Sequence, residues 1–423
     1  MESADSENYP VLEAPRDGLP PVTATERDLL VAADAIAAGS GPIAIDAERA
    51  SGYRYGNRAY LVQLRRNGAG TFLFDPAAIP DLSPVQDAIG GAEWILHAAT
   101  QDLVCLAEVG LRPASLFDTE VGARLAGLPR VGLAAVIEHY LGVSLAKEHS
   151  AVDWSTRPLP EPWLRYAALD VELLVDVRDA MYADLQSQGK LDWALQDFAA
   201  LTRFAGPPVR EEPWRRTSGL HTVRDRRVTG RVRELWQTRD RIAQDRDTSP
   251  GRVLPDAVLI EMAKQDPKNA ADLAAIRTEA TSRRGKARPA HTGVPRYQRD
   301  WLDAVRRADA LPAADLPGPP PRTDAPPPAR SWSDRDPAAA ARLASAREQL
   351  AVISDERNVP VENILQPDTL RRILWQLPDP LDDNTIRGFL TQRGARPWQV
   401  ELTLPVIKQA ATAQPAEDSV TDE

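Results

Sequence analysis

The 423-residue chain lacks the features that mark secreted and membrane proteins. It contains a single cysteine, Cys105, which excludes an internal disulfide framework and a thiolate zinc site. No stretch approaches the roughly 18 consecutive apolar residues that a membrane-spanning helix needs, so we expect no association with a membrane. The N-terminal stretch MESADSENYPVLEAPRDGLPP is acidic and lacks the basic and apolar regions of a signal peptide. These absences predict a cytoplasmic protein.

Positive charge is concentrated in the middle of the chain. The formal net charge is −10, but residues 201–310 contain 24 Lys and Arg against 15 Asp and Glu, a net of +9. The rest of the chain therefore carries −19. A basic module in an acidic protein is the asymmetry expected of a module that binds a polyanion such as a nucleic acid. A solvated, arginine-rich helical surface explains the same counts, and composition leaves both interpretations open.

The order of local signals predicts an α/β domain followed by helical blocks. ATERDLLVAADAIAAG is typical of an amphipathic helix with Thr25 as its N-cap and Gly39 near its end. PIAIDAE, RAYLVQLRR and GTFLFD follow as strand candidates, and a short strand is expected from Trp94 to His97. Beyond about residue 115 the pattern is almost entirely helical. Strands that give way to helices indicate an α/β domain ending near residue 205.

Composition shifts divide the chain into six predicted segments. These are a flexible N-terminal tail (1–24), the α/β domain (25–205), a helical domain (220–307), an extended proline-rich linker (308–335), a second helical domain (336–412) and an acidic C-terminal tail (413–423). Both helical blocks begin with an amphipathic helix, VRELWQTRDRIAQDR and ARLASAREQLAVISDER. This shared opening indicates a weak internal duplication.

Two carboxylates end the first buried strand. Ile43 and Ile45 are typical of a sheet interior, and Asp46 and Glu48 follow two residues apart. The period of a strand points both carboxylates to the same face, where they repel each other and resist burial. A solvated strand end or an ion pair with Arg49 would explain the pair without any function.

Two later motifs contain carboxylates near helix starts or on helix faces. In ILHAATQDLVCL, Thr100 could cap a helix whose first turn carries Asp102, and the helix dipole alone favours an aspartate there. In RYAALDVELL, Tyr166 and Asp170 stand four residues apart and share a helix face. A surface pair, or a tyrosine packed into the core, is the alternative for the second motif.

Taken together, Asp46, Glu48, Asp102 and Asp170 would converge if the strand and the helices pack side by side. Four clustered anions require cations, and carboxylate oxygens suit Mg²⁺ or Mn²⁺. Two such ions about 3.5–4 Å apart are the arrangement used for phosphodiester displacement.

The ordered motifs IDAE, HAATQD and YAALD resemble the DEDD superfamily of 3′–5′ exonucleases, in the DEDDy subgroup with a tyrosine in its third motif. The stretch LAKEHSAVDWSTRPLPEPWLRYAALDVELL is similar to the ribonuclease D family. The matching positions are Lys147, Asp153, Trp154, Arg157, Pro158 and Leu159.

Two features depart from the family pattern. Gln101 stands where many relatives have an acidic residue, and the loop RASGYRYGNRAY has no detailed counterpart. The stretch from VRELW to LAAI resembles an HRDC domain, with residues 336–412 as a more divergent second copy.

This resemblance implies an α/β ribonuclease-H-like exonuclease domain followed by two all-α HRDC-type helical domains. It implies removal of nucleotides from an RNA 3′ end as 5′-monophosphates. Asp46, Glu48, Asp102 and Asp170 would hold two divalent metal ions, Mg²⁺ or Mn²⁺, and the Tyr166 hydroxyl would orient the water. The implied partner is RNA, as the 3′ ends of tRNA precursors or other structured RNA, bound partly through the helical domains. No obligate protein partner is expected.

The sequence leaves two rival functions open. The same phosphodiester chemistry serves DNA exonucleases, and no residue in the sequence reveals recognition of the 2′-hydroxyl. A non-catalytic RNA-binding adaptor would be expected to lack one of the carboxylates, and all four are present.

Overall fold

The computed structural model describes residues 9–146, 152–276, 291–319 and 324–415. Lys147, one of the residues in the ribonuclease D pattern, lies outside these ranges, as does most of the predicted C-terminal tail. None of the helices within the described residues combines the length and the apolar character needed to cross a membrane.

A mixed sheet forms the centre of the N-terminal region, by which we mean residues 9–205 without the gap at 147–151. The strands are β1 (Val11–Leu12), β2 (Val22–Thr23), β3 (Ser40–Arg49), β4 (Ala59–Asn67), β5 (Gly70–Phe74), β6 (Glu93–Leu96), β7 (Ser115–Asp118) and β8 (Ser144–Leu145). Six of them form one sheet in the order β2-β5-β4-β3-β6-β7, and β1 pairs with β8. β3 is antiparallel to β4 and parallel to β6. The four predicted strands are thus confirmed as β3, β4, β5 and β6.

Helices cover both faces of this sheet. They are α1 (Glu26–Ala38), α2 (Ser83–Ile89), α3 (Leu103–Glu108), α4 (Thr119–Ala126), α5 (Leu133–Leu141), α6 (Glu161–Glu172), α7 (Leu174–Ser187) and α8 (Leu191–Leu201). α6 packs across β3, β4 and β5. In β3, Ile43, Ala44 and Ile45 are fully buried, as expected for a strand covered on both faces. This packing brings the third predicted motif onto the strand that carries the first.

The rest of the chain forms two helical blocks. The middle block (226–310) contains α9 (Arg226–Asp245), α10 (Pro250–Val253), α11 (Asp256–Gln265), α12 (Ala270–Ala275), α13 (Gly293–Arg296) and α14 (Gln298–Ala310). The C-terminal block (332–411) contains α15 (Trp332–Arg335), α16 (Pro337–Arg357), α17 (Val361–Ile364), α18 (Pro367–Trp375), α19 (Asp383–Gln392) and α20 (Pro397–Ala411). In both blocks a helix of 20 or 21 residues is followed by one of four residues and then by one of nine or ten.

The prediction of a flexible tail over residues 1–24 is wrong for its described part. β1 pairs with β8, and β2 extends the edge of the main sheet beside β5. Strands of two residues carry no periodic signal, and their partners lie far along the chain, so local pattern could not reveal them. Beyond residue 115 the described residues are largely helical, as predicted, with the short strands β7 and β8 as additions to that pattern.

The prediction of an extended linker over residues 308–335 is also wrong for the described residues. α14 continues to Ala310, and the Arg226 side chain donates to the Leu316 carbonyl at 2.8 Å. Trp332 is 1% exposed, and its indole N–H donates to the Pro327 carbonyl at 2.8 Å. Apolar burial and hydrogen bonds therefore fix much of this proline-rich segment against its neighbours.

The C-terminal block shares one continuous hydrophobic core with the N-terminal region. Trp193 and Trp398 stack across this junction with ring centroids 4.8 Å apart and planes 11° apart. Arg396 pairs with Asp197 at 3.0 Å in the same place. Apolar burial of this kind is non-directional and depends little on salt.

The middle block has a separate core and contacts the N-terminal region through the loop after β3, residues 50–58. The Tyr55 hydroxyl donates to Asp240 at 3.1 Å. Arg58 pairs with Asp247 at 3.3 Å, and the Arg252 guanidinium lies 4.2 Å from the centre of the Tyr53 ring. The loop RASGYRYGNRAY, which has no detailed counterpart in the ribonuclease D family pattern, therefore contacts the middle block. We call residues 50–58 the docking loop.

Candidate active site

Three of the four predicted carboxylates meet at the end of β3. Asp46 and Glu48 lie on one face of the strand, as the spacing predicts, and Asp170 projects from α6 above it. One oxygen from each of these three side chains lies within 4.8 Å of the other two. The separation is within the range over which a single cation can contact all three groups.

Asp102 completes the cluster from a different direction. It follows a short 3₁₀ helix (Ala99–Gln101) and precedes α3, with 4% of the residue exposed. Its carboxyl lies close enough to that of Asp46 for the two groups to shift each other's pKa, and its Oδ1 lies 3.4 Å from Nη2 of Arg49. The expected cap from Thr100 is wrong, because Ala98 holds the N-cap position of the 3₁₀ helix and Asp102 makes no side-chain capping bond. The Asp102 carboxylate is therefore directed at the cluster and not at its own helix.

Arg49 reaches Asp102 through an irregularity in β3. The pairing register between β3 and β4 shifts between Glu48 and Arg49. Such shifts re-aim a side chain near the end of a strand. The sequence offers Arg49 as an ion-pair partner for Asp46 and Glu48. In the structure, Arg49 forms its ion pair with Asp102.

Asp118 fixes the turn that presents Asp102, and sequence reasoning missed this role. Its carboxylate accepts the backbone N–H groups of Ala98 at 3.2 Å and Ala99 at 2.7 Å. It also caps α4 by accepting the N–H groups of Glu120 and Val121. Ala98 has a φ of 61°, an unfavourable conformation that these bonds stabilise. An aspartate at a strand end before a helix is a recognisable N-cap signal, but its bonds to residues 98 and 99 depend on the fold.

Tyr166 is packed against the core and also lines the cleft that holds the carboxylates. Its ring lies 6.4 Å from that of the fully buried Trp154, so the ring is part of the core. Its hydroxyl lies close enough to Asp170 for the two groups to shift each other's pKa, and Tyr166 lines the same cleft. Burial, followed by the nearby carboxylates, raises the pKa of Tyr166, so the hydroxyl keeps its proton at neutral pH. It is therefore a hydrogen-bond donor at the carboxylate cluster.

His97 also lines the cleft, although its sequence motif gives no sign of this position. Its Nδ1 lies 2.9 Å from the Thr119 hydroxyl, which itself donates to the Leu96 carbonyl. The Thr119 oxygen must then accept from Nδ1–H, which leaves Nε2 without a proton. Burial lowers the pKa of His97 to about 4, so the ring is neutral at neutral pH.

The carboxylates raise one another's proton affinity. Burial is the largest cause of the raised pKa of Glu48, followed by the charges of Asp46 and Asp170. Burial and then Asp46 raise the pKa values of Asp102 and Asp170 in the same way. Among the described residues that line this cleft of about 600 Å³, Arg49 is the only one with a permanent positive charge. Oxygen donors with excess negative charge fit a divalent cation, whose binding would favour the ionised forms of these carboxyl groups.

We expect the stabilisation by a divalent cation to increase with pH. The raised pKa values favour the folded, cation-free protein at low pH, and this contribution is lost as the pH rises through them. Above them the repelling anions remain, and Mn²⁺ or Mg²⁺ binds without displacing protons. The increase in thermal midpoint between EDTA and Mn²⁺ should be larger at pH 8 than at pH 6. An equal increase at both values would show that these groups do not titrate with the cation.

Comparisons with known proteins agree with this geometry. The family model described as "3'-5' exonuclease" matches residues 21–186. The HRDC domain model matches residues 228–285, and a model described as "3' to 5' exonuclease C-terminal domain" matches residues 325–411. The three matches fall on the N-terminal region, the middle block and the C-terminal block.

Curated proteins named ribonuclease D are similar to this chain. The chain is 34% identical over 280 residues to the ribonuclease D of Gluconacetobacter diazotrophicus, covering 65% of this chain and 68% of the relative. It is 30% identical over 300 residues to the ribonuclease D of Granulibacter bethesdensis, covering 69% and 70%.

Solved structures share the architecture over nearly the whole chain. A protein from Bifidobacterium adolescentis is 39% identical with a TM-score of 0.84, covering 95% of this chain and 99% of that one. Escherichia coli RNase D, described as an exoribonuclease involved in structured RNA processing, has the same fold at 23% identity. Its TM-score is 0.66, and the match covers 93% of this chain and 99% of that one. Together, the exonuclease match and the curated relatives show that this chain belongs to the ribonuclease D family and is a 3′–5′ exoribonuclease.

Proposed function

We propose that the chain hydrolyses RNA from the 3′ end by metal-assisted catalysis at the carboxylate cluster, releasing nucleoside 5′-monophosphates. The observation that carries this proposal is the convergence of Asp46, Glu48 and Asp170 oxygens within 4.8 Å. Asp102, close to Asp46 and Arg49, is the fourth proposed ligand. Two divalent ions held by these four groups, Mg²⁺ or Mn²⁺, would activate the attacking water and stabilise the leaving 3′ oxygen.

The side chains around the cluster have distinct proposed roles. Tyr166 retains its proton beside Asp170, and its hydroxyl can form a hydrogen bond that orients the attacking water. Arg49 is positioned to bind a phosphate oxygen of the terminal nucleotide once cations neutralise Asp102. Neutral His97 adds an acceptor at Nε2 without adding charge to the cleft.

The proposed substrates are structured RNAs, with the 3′ ends of tRNA precursors as the leading class. Family membership supports RNA, and the net charge of +7 over residues 226–310 supports phosphate binding by the middle block. We further propose that the C-terminal block is a second HRDC-type domain. The shared order of long, four-residue and medium helices in the two blocks supports this assignment. The curated relatives are bacterial, and a cytoplasmic location, where bacterial precursor RNA is found, belongs to the same proposal.

The test is a degradation assay on matched RNA and DNA oligomers, labelled at either the 5′ or the 3′ end. With Mn²⁺ or Mg²⁺ we expect 5′-labelled RNA to shorten progressively and 3′-labelled RNA to release its label as a mononucleotide from the outset. EDTA should stop both reactions. Internal cleavage, or activity that persists in EDTA, would contradict the proposal.

Two further comparisons in this assay address the substrate. Equal or faster degradation of the DNA oligomer would favour a DNA exonuclease. A tRNA with a 3′ extension, compared with an unstructured RNA of equal length, tests the proposed substrate class. We expect the extension to be removed and the folded body to remain.

A further inference from the structure

Gln63 is a buried polar residue that the proposed chemistry does not use. It lies on β4 directly opposite Asp46 of β3, and its exposed fraction is 0%. Its Nε2 atom is 3.0 Å from Oδ2 of Asp46 and 3.4 Å from Oε1 of Glu48. The two protons of one amide group are therefore available to two carboxylates of the cluster.

The other end of the same amide has no hydrogen bond. Oε1 of Gln63 is buried without a partner among the described residues. An unpaired buried acceptor is unfavourable, and an apolar side chain of similar size would avoid that cost. The reverse orientation of the amide would place its oxygen against two anions, so electrostatics fixes the observed one. Packing alone therefore does not explain why an amide occupies this position. The hydrogen bonds that its N–H groups donate to Asp46 and Glu48 do explain it.

The neutrality of this donor matters for a metal site. A lysine or arginine at position 63 would bind the carboxylates more strongly, but its permanent charge would compete with an arriving cation. An amide holds Asp46 and Glu48 without neutralising them. We propose that Gln63 is a positioning residue that sets the orientation of these two carboxylates for divalent-cation binding, an inference that rests on the proposed metal site.

The test is titration of Mn²⁺ into the full-length protein without RNA, followed by calorimetry. Gln63→Met keeps the side-chain volume and removes both donors. We expect its Mn²⁺ affinity to fall by about tenfold or more, the usual effect of removing a group that orients a metal ligand. Val62→Ala is the matched control, because Val62 is fully buried in the adjacent position of β4 and faces the opposite side of the sheet. It should lower the thermal midpoint and leave Mn²⁺ affinity unchanged.

A second variant keeps the test informative if Gln63→Met does not fold. Gln63→Asn retains the amide but shortens it by one methylene, so it cannot reach both carboxylates and should also weaken Mn²⁺ binding. Unchanged affinity in either folded variant would overturn the inference. A different result would contradict the proposed metal site itself. That result is an Asp170→Asn variant that binds Mn²⁺ with the same affinity as the parent protein.

Discussion

Asp170→Asn should lower RNA turnover by about 10³-fold or more, since a lost ligand to a catalytic metal removes several kcal/mol of transition-state stabilisation. An amide keeps the shape of the carboxylate but cannot replace its negative charge. The equivalent change Asp46→Asn should have an effect of similar size. The measurement is single-turnover cleavage of a short single-stranded RNA at saturating Mn²⁺.

Folding provides the control for this loss. Burial and the charge of Asp46 raise the pKa of Asp170, so its ionised form is disfavoured in the cation-free protein. Asp170→Asn should therefore keep or raise the thermal midpoint in EDTA at pH 8. Asp176→Asn is the matched substitution, because Asp176 lies on α7 and its ion-pair partner among the described residues is an exposed arginine, Arg16, at 3.2 Å. Turnover of Asp170→Asn within tenfold of the parent protein would remove Asp170 from the site.

Tyr166→Phe should slow single-turnover cleavage by roughly 10²–10⁴-fold, the usual contribution of a group positioned for proton transfer or water orientation. The substitution keeps the ring that packs near Trp154 and removes only the hydroxyl beside Asp170. Thermal midpoint and RNA affinity should change little, because packing and phosphate contacts are preserved.

Tyr140 offers a close control for this experiment. Its hydroxyl donates to Asp184 at 2.8 Å, a tyrosine–aspartate pair outside the cleft. Tyr140→Phe likewise loses a hydroxyl beside an aspartate and should cleave at the parental rate. If Tyr166→Phe also cleaves at that rate, Tyr166 is a packing residue, and the water is oriented by another group.

Local pattern was sufficient to predict the elements that bring the site together. The alternation in β3 placed Asp46 and Glu48 on one face, and the four-residue spacing in α6 placed Tyr166 beside Asp170. The N-cap at Thr25 is likewise confirmed, since its side chain accepts the Asp28 N–H at 3.2 Å. Each of these features depends on residues a few positions apart, where backbone geometry alone decides which side chains meet.

The supporting residues depend on contacts that local pattern does not contain. Gln63 meets Asp46 through the register of two strands, and Asp118 holds a turn 20 residues away through its bond to Ala98. The ion pair of Arg49 with Asp102 needs both a register shift and the approach of a separate helix. Such pairings follow from tertiary packing, and a single sequence gives no measure of it.

The docking loop has a consequence for counting RNA phosphates from salt titrations. The Tyr55 hydroxyl, Arg58 and Arg252 contribute hydrogen bonds and charge to the attachment of the basic middle block, and added salt screens the exposed charges among these contacts. The slope of binding against salt concentration is normally read as the number of phosphates neutralised. If the middle block binds RNA as proposed, the ions that compete for RNA would also weaken its attachment, whereas the largely apolar junction of the C-terminal block would be less affected. The slope would therefore overstate the number of phosphates neutralised. A cross-link between residues 58 and 247 would keep the middle block attached at high salt and would remove this excess.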